Sequence, residues 1–286
     1  MIRPTDPINW REGIRRIAGR LARATGLLLV AGLLWPAVGA TQEFPLRAEY
    51  GPAGVEPIET EALAANLGKY TVVDARSAYE YETLHIEGAH SVPLASSDFS
   101  EEVVALSEKT GKPLVFYCNG ETCAVSYKAT LKAHGVGVED ALVYDAGIFT
   151  WAKANPDRSV LLGETLGDPS RLIGSEQFQA HLLEEDPFFA RIDRSENPII
   201  IDIRNRDQRA GISLFQMRDR HVPLSTDNSE LDALVQQARA EARPMFFVDA
   251  TGKQVRWLQY YLEDKQVAEY WFLEGGVADI YESMGI

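Results

Sequence analysis

"KPLVFYCNGETCAVSYKATLKAHG", residues 112–135, holds both cysteines of the 286-residue chain, Cys118 and Cys123. Its opening "KPLVFYC" is a short apolar run after a proline, the pattern of a buried strand. "AVSYKATLKAHG" has helical spacing and stops at Gly135, a residue suited to ending a helix. Between them lies the polar turn Asn119-Gly120-Glu121-Thr122. A strand turning through such a loop into a helix is the repeating unit of a parallel α/β sheet. Open sheets of this class bind ligands at the carboxyl ends of their strands, and Cys118 ends this one.

The alternation continues on both sides. "IETEALAANL" (58–67) is helical, "YTVVDAR" (70–76) and "HSVPL" (90–94) are strands, "SEEVVALSEKTG" (100–111) is a helix, and "ALVYDAG" (141–147) is a strand. It then recurs: helix "EQFQAHLLEED" (176–186), strands "PIIIDIR" (198–204) and "RHVPL" (220–224), helix "SELDALVQQARAEA" (229–242), strand "RPMFFVD" (243–249), helix "KQVRWLQYYLED" (253–264) and strand "EYWFLEGG" (269–276). "VVDAR" echoes in "IIDIR", "SVPL" in "HVPL", "KPLVFYC" in "RPMFFVD" and "VYDAG" in "FLEGG", all in one order. The expectation is a tandem α/β duplication, each half a parallel sheet flanked by helices, joined through a Pro/Gly/Asp-containing linker. In that register Cys118 falls on Asp249 and Cys123 on Gln254, so the second copy keeps the sheet and lacks both thiols.

Residues 1–40 read differently. Arg11, Arg15, Arg16, Arg20 and Arg23 precede the apolar run "GLLLVAGLLWPAVGA" (26–40), which ends in small residues. That is the pattern of a secretory signal peptide cleaved after Ala40; an uncleaved anchor is the alternative, although the run is short of the ~20 apolar residues of a spanning helix. The expected location is the periplasm or another exported compartment. Removing six arginines, one aspartate and one glutamate takes the net charge from −14 to −18. Such a field repels phosphate and excludes nucleic acid as a partner. Outside the cytoplasm thiols tend towards disulfides, but a Cys118–Cys123 bridge closes so small a loop that it stabilises the fold little. Its interest is chemical.

The loop backbone of Asn119, Gly120, Glu121, Thr122 and Ala124, with the following helix end, forms a cradle for an anion such as a thiolate or persulfide. A thiol so placed is expected to have its pKa lowered from about 8.5 into the range of roughly 3.5–7.5. That expectation is attached to Cys118. A cysteine phosphatase needs an arginine six residues on, where Ala124 stands. Zinc needs four ligands, and two thiols without a nearby histidine pair supply too few. A thiol redox pair stays open.

"VVDARSAYEYETLHIEGAHSVPL" (72–94), "PLVFYCNGETCAVSYKATL" (113–131) and "ALVYDAGIFTW" (141–151) together resemble a rhodanese domain. Asp74-Ala75-Arg76, the acidic-aromatic Glu80-Tyr81, His85-Ile86-Glu87-Gly88-Ala89 and a cysteine ending a strand fill the positions of the family's pattern. The resemblance covers about 55–155, and more weakly about 174–284. It implies two tandem rhodanese-like domains, the second degenerate, and a sulfurtransferase in which Cys118 is persulfidated by a small sulfur donor and passes sulfur to a thiol or protein acceptor. Within it Cys123 is the candidate resolving thiol: attack on the Cys118 persulfide releases sulfide and leaves a disulfide. Asp74 and Arg76 read as an internal pair that fixes loops around the site, and His85 as structural. No metal or organic cofactor is required.

Two departures bear on substrate. Leu84 stands where the family usually has glycine, and Cys123, Ala124 and Val125 occupy the region where many members carry an arginine. A dianionic donor therefore meets N–H groups without a guanidinium fork, and efficient thiosulfate:cyanide transfer is not expected. A subgroup with a second loop cysteine resembles this chain better. The rival class is a non-enzymatic binding module, and the aromatic cluster at 257–272, read as core, is alternatively a surface for a protein partner on the second half.

Overall fold

The computed structural model describes residues 44–209, 214–215 and 218–285. The expected signal peptide lies outside them. Among the described residues no helix is long and apolar enough to cross a membrane.

The first half runs α1 (Arg47–Tyr50), α2 (Thr60–Ala65), β1 (Thr71–Asp74), α3 (Ala78–Thr83), β2 (Leu84–Ile86), β3 (His90–Ser91), α4 (Phe99–Thr110), β4 (Leu114–Tyr117), α5 (Ala124–Gly135), β5 (Leu142–Tyr144), α6 (Gly147–Ala154), β6 (Ser159–Leu161) and β7 (Glu164–Thr165). β3, β1, β4 and β5 form a parallel sheet in that order. Every residue of β1 and β4 is buried, because helices cover both faces of a parallel sheet and leave no polar side. α4 stops at Gly111, whose φ of 59° ends the helix without a Cβ penalty.

The second half follows with α7 (Ser175–Gln179), β8 (Leu182–Leu183), α8 (Glu185–Arg194), β9 (Ile199–Asp202), β10 (Arg220–His221), α9 (Ser229–Glu241), β11 (Met245–Val248), α10 (Val255–Asp264), β12 (Tyr270–Leu273) and α11 (Gly276–Ser283). Its parallel sheet has the order β10-β9-β11-β12-β8. Equivalent hydrogen bonds recur in the two sheets. Val92 N–H donates to the Asp74 carbonyl at 3.0 Å and Val222 N–H to that of Asp202 at 2.9 Å. Ile148 N–H donates to the Cys118 carbonyl, and Val277 N–H to that of Asp249, both at 2.9 Å. At the position of the second sheet's β8, the first sheet has a single parallel bridge between Pro57 and Val143.

The halves pack into one compact unit. Trp257 and Tyr260 of α10 sit in the first half's apolar core, and Tyr260 Oη accepts a hydrogen bond from Ile173 N–H at 3.1 Å. The aromatic cluster is thus mostly buried core, part of it at the seam between the halves.

Three differences from the sequence reading have tertiary causes. The helix expected over 176–186 breaks after Gln179, because Leu182 and Leu183 pair with Phe272 and Leu273 at the sheet edge. Part of the linker pairs antiparallel: β6 joins β2 and β7. Helices α6 and α11, unread in the sequence, each begin at a glycine of positive φ, Gly147 and Gly276.

Candidate functional site

β4 delivers Cys118 to the crevice at the carboxyl edge of the first sheet, and α5 begins directly after Cys123, its N-cap residue. The loop between them curls back on itself: Cys123 N–H donates to the Gly120 carbonyl at 2.9 Å. Both thiols are free. Cys118 is 0% exposed, while Cys123 is half-buried. The Cys118 Sγ lies 3.1 Å from the Cys123 carbonyl oxygen and 3.2 Å from Ser126 Oγ.

The charge does not settle where the sequence suggested. Burial pushes the Cys118 thiol well up, and the neighbouring Cys123 sulfur adds to that; the Ser126 hydroxyl and N–H oppose it. The Cys123 thiol is pulled down to about 6, first by the hydrogen bond from Cys118, against the cost of burial, then by the N–H groups of Asn119 and Val125. Burial thus disfavours charge on the inner sulfur, while the neighbouring thiol and the N–H groups at the start of α5 favour it on the outer one. The expectation of a lowered pKa at Cys118 is corrected. A strand-end position is deep in the sheet, and desolvation there outweighs the loop donors.

Of the expected cradle, Asn119 supplies its N–H to the Cys123 sulfur, and Gly120 closes the turn through its carbonyl. Thr122 faces solvent, whereas Glu121 and Ala124 are half-buried. Val125 and Ser126, which lie one and two residues beyond the expected cradle, are the donors that sequence reasoning missed. The signal was present in the helix start itself, whose first N–H groups lack intrahelical partners.

The side chain of Asn119 is clamped from two sides. Arg76 Nη1 donates to its Oδ1 at 3.2 Å, and its Nδ2 donates to Glu80 Oε1 at 3.1 Å. Glu80 is fixed by a capping box with Ser77 at the start of α3. Arg76 is itself held by Asp74, its Nε 2.9 Å from Oδ1 and its Nη2 2.5 Å from Oδ2, and donates to the Leu84 carbonyl at 2.6 Å. Burial opposes its charge, but the Asp74 carboxylate overrides this and keeps the guanidinium protonated. Asp74 and Arg76 are thus the internal pair expected, and the pair reaches the loop through Asn119. His85 is structural in the same sense: its Nδ1 lies 2.7 Å from the Tyr81 carbonyl and its ring stacks on Tyr81 at 4.0 Å.

Below the loop, Gly147 has φ 72°, and a Cβ there would stand 2.4 Å from Gly120 N and 2.5 Å from the Asn119 carbonyl carbon. The backbones touch, and only glycine fits.

The second half has a carboxylate at the corresponding strand end. Asp249 is buried at the end of β11. Its carboxylate accepts the N–H groups of Gly252 at 2.6 Å, Gln254 at 2.7 Å and Val255 at 3.3 Å. The loop is filled by the protein's own carboxylate, which also caps α10. Between the halves, a cavity of about 280 Å³ is lined by residues that include Ser77, Glu80, Ser225 and Gln254. Among the described residues no cluster of three or more histidine, cysteine or acidic side chains is arranged to hold a metal.

Residues 59–154 match the family described as Rhodanese-like domain. An HTH-type transcriptional regulator of Mycobacterium tuberculosis is 35% identical over 88 residues, 30% of this chain and 36% of that protein, so the chain spans about a third of that relative. Among solved structures, a Bacillus halodurans protein is 24% identical over 43% of this chain and 88% of its own, with a TM-score of 0.35. A Pseudomonas aeruginosa thiosulfate sulfurtransferase is 16% identical over 80% of this chain and 44% of its own, with a TM-score of 0.32. The rhodanese-like domain of an Anabaena protein is 20% identical over 38% and 80%, also at 0.32.

Proposed function

We propose that the rhodanese-like domain of this chain, matched over residues 59–154, carries sulfane sulfur on its loop thiols, with the second half, about 174–284, a degenerate copy of the same domain. The observation that carries the reading is a pair of free thiols of unlike exposure in one strand-to-helix loop, Cys118 buried beside Ser126 and Cys123 half-buried at the N-cap of α5. Cys123 presents a thiolate towards solvent, and Cys118 waits as a buried thiol beside Ser126.

In the proposed cycle the Cys123 thiolate attacks the outer sulfur of a small persulfide or polysulfide, R–S–SH. A sulfur–sulfur bond forms to Cys123, and RS⁻ leaves and takes the Cys118 proton. The Cys118 thiolate then attacks the transferred sulfur. That leaves the persulfide on Cys118, held by the Ser126 hydroxyl and N–H, and regenerates the Cys123 thiolate. An acceptor thiolate removes the outer sulfur and returns Cys118 to the reduced state. Without an acceptor, Cys123 attacks the Cys118 Sγ, a disulfide forms and HS⁻ departs. The net change is reduction of R–S–SH to RSH and sulfide by two thiols. The absence of a cationic side chain between Cys118 and Ser126 favours persulfide donors over thiosulfate. We further propose that the protein acts outside the cytoplasm after loss of residues 1–40, on the strength of their composition.

Intact mass after exposure to a polysulfide is the test. Wild-type protein with acceptor absent should lose two hydrogens, and Cys118→Ser, which keeps the entry thiol but has no second sulfur to receive the transfer, should hold one added sulfur on Cys123. If no cysteine of reduced protein ever gains sulfur, the transfer reading fails. The complete burial of Cys118 would then favour a non-catalytic rhodanese-fold binding module.

A further inference from the structure

The second half lacks a thiol, yet it reaches into the first half's site. We propose that Trp257, carried by α10, is a positioning residue for the thiol loop of the first half, acting through Arg76 and Asn119; the proposal rests on the reading of that loop as the reactive site.

Trp257 is 4% exposed and belongs to the core of the first half rather than its own. Its ring centroid lies 4.9 Å from the Arg76 guanidinium carbon, with the Tyr117 ring 5.6 Å away. Arg76 spends Nε and Nη2 on Asp74 and Leu84, which leaves Nη1 as its one hand towards the loop, at Asn119. An aromatic face keeps water off the guanidinium and attracts it electrostatically. The hydrogen bonds beneath it thereby act in a dry, low-dielectric setting, where they are stronger.

Trp257 also stacks on Phe149 of α6 at 5.2 Å, and α6 begins at Gly147, the residue packed against Gly120. Its helix neighbour thus borders the floor of the loop at Gly120, while the effect on the thiol runs through the clamp at Asn119. Asn119 is the joint: its side chain is clamped, it leads directly into Gly120, whose carbonyl holds the Cys123 N–H, and its own N–H helps to lower the Cys123 thiol. Asp249 completes the logic of the second half. Its carboxylate caps α10 through Gln254 and Val255, so the residue at the strand end corresponding to that of Cys118 anchors the helix that carries Trp257.

The test reads the pH midpoint of Cys123 alkylation by iodoacetamide in the full chain, well below the unfolding temperature. Trp257→Met fills the space without a ring, and Trp257→Phe restores a ring. Trp257→Met should raise the midpoint by about one unit, which is about tenfold less thiolate below it, and Trp257→Phe should return it to within a few tenths. In the Asn119→Ala background, Trp257→Met should add no further shift, since both act through one joint. A lowered melting temperature with an unchanged midpoint in Trp257→Met makes Trp257 core alone and overturns the proposal, as does an additive shift in the double variant. Should Trp257→Met not fold, Trp257→Phe and Trp257→Tyr must still give midpoints ordered by ring contact, and equal midpoints overturn it. These readouts need no sulfur transfer. A midpoint shift in a protein that never gains sulfur supports the positioning role while removing the transfer reading.

Discussion

Removing the Cys118 thiol should deprive Cys123 of the largest influence that lowers its pKa. The hydrogen bond from that thiol is the foremost influence bringing the Cys123 thiol down to about 6. A hydrogen bond to a charged group contributes about 1.5–3 kcal/mol, or about 1–2 pH units. In Cys118→Ala the alkylation midpoint of Cys123 should therefore rise to roughly 7–8. At pH 6 the thiolate share should fall from about one half to between about a tenth and a hundredth. Rates alone are a poor measure, because a thiolate of higher pKa is also the better nucleophile, with a Brønsted slope of about 0.4–0.5. The midpoint is the observable: iodoacetamide pulses between pH 4.5 and 9, acid quench, and quantitation of the peptide spanning 113–128. Cys118→Ser keeps a hydroxyl donor and should fall between wild type and Cys118→Ala, which separates the hydrogen bond from the loss of volume. A Cys123 midpoint unmoved in Cys118→Ala would refute this coupling of the two thiols. So would wild-type protein in which Cys118 is alkylated before Cys123 at pH 6.

Other outcomes follow from the geometry. Gly147→Ala should cost roughly 2–5 kcal/mol in denaturant unfolding, from left-handed strain and overpacking together, because its Cβ meets loop backbone at 2.4 Å; Gly163→Ala, with φ 82° and open space around it, should lose only about 1 kcal/mol. Asp249→Ala should cost about 3 kcal/mol by leaving three N–H groups without their acceptor, measured by urea midpoint at constant m-value. Arg47→Ala should lower the melting temperature measurably, since Arg47 binds the buried Asp145 through two nitrogens at 2.7 and 2.9 Å and leaves it only Tyr127 Oη. Mass spectrometry of protein expressed in its native setting should find an N-terminus near Thr41; an intact N-terminus in the membrane fraction points to an anchor.

Much of the architecture was legible in the order of the residues. Strands β1, β4, β9 and β11 are buried on both faces, so each appears as a mainly apolar run, and the echo of "VVDAR" in "IIDIR" marks strand ends whose Asp74 and Asp202 carbonyls accept corresponding hydrogen bonds. α5 was read to its last residue, because its glycine and its apolar spacing agree. The Asp74–Arg76 pair was readable for a similar reason: a carboxylate and a guanidinium two residues apart at a strand end find each other locally. The edge strand Leu182–Leu183 was not readable, since only β12, some ninety residues away, makes it a strand.

At the site, the sequence by itself determined that two thiols share one strand-to-helix loop and that the second half has neither, because those are facts of composition and spacing. Which thiol bears the charge, and what the second half contributes, were decided by the tertiary structure alone. Desolvation depends on everything packed around a sulfur, and it leaves Cys118 at 0% exposure while the outer sulfur collects the N–H groups of Asn119 and Val125. Trp257 stands 181 positions along the chain from Arg76, and no local pattern predicts that its ring will close over that guanidinium. Ionisation and coverage follow from distance in space, which a sequence orders only where neighbours in the chain are neighbours in the fold.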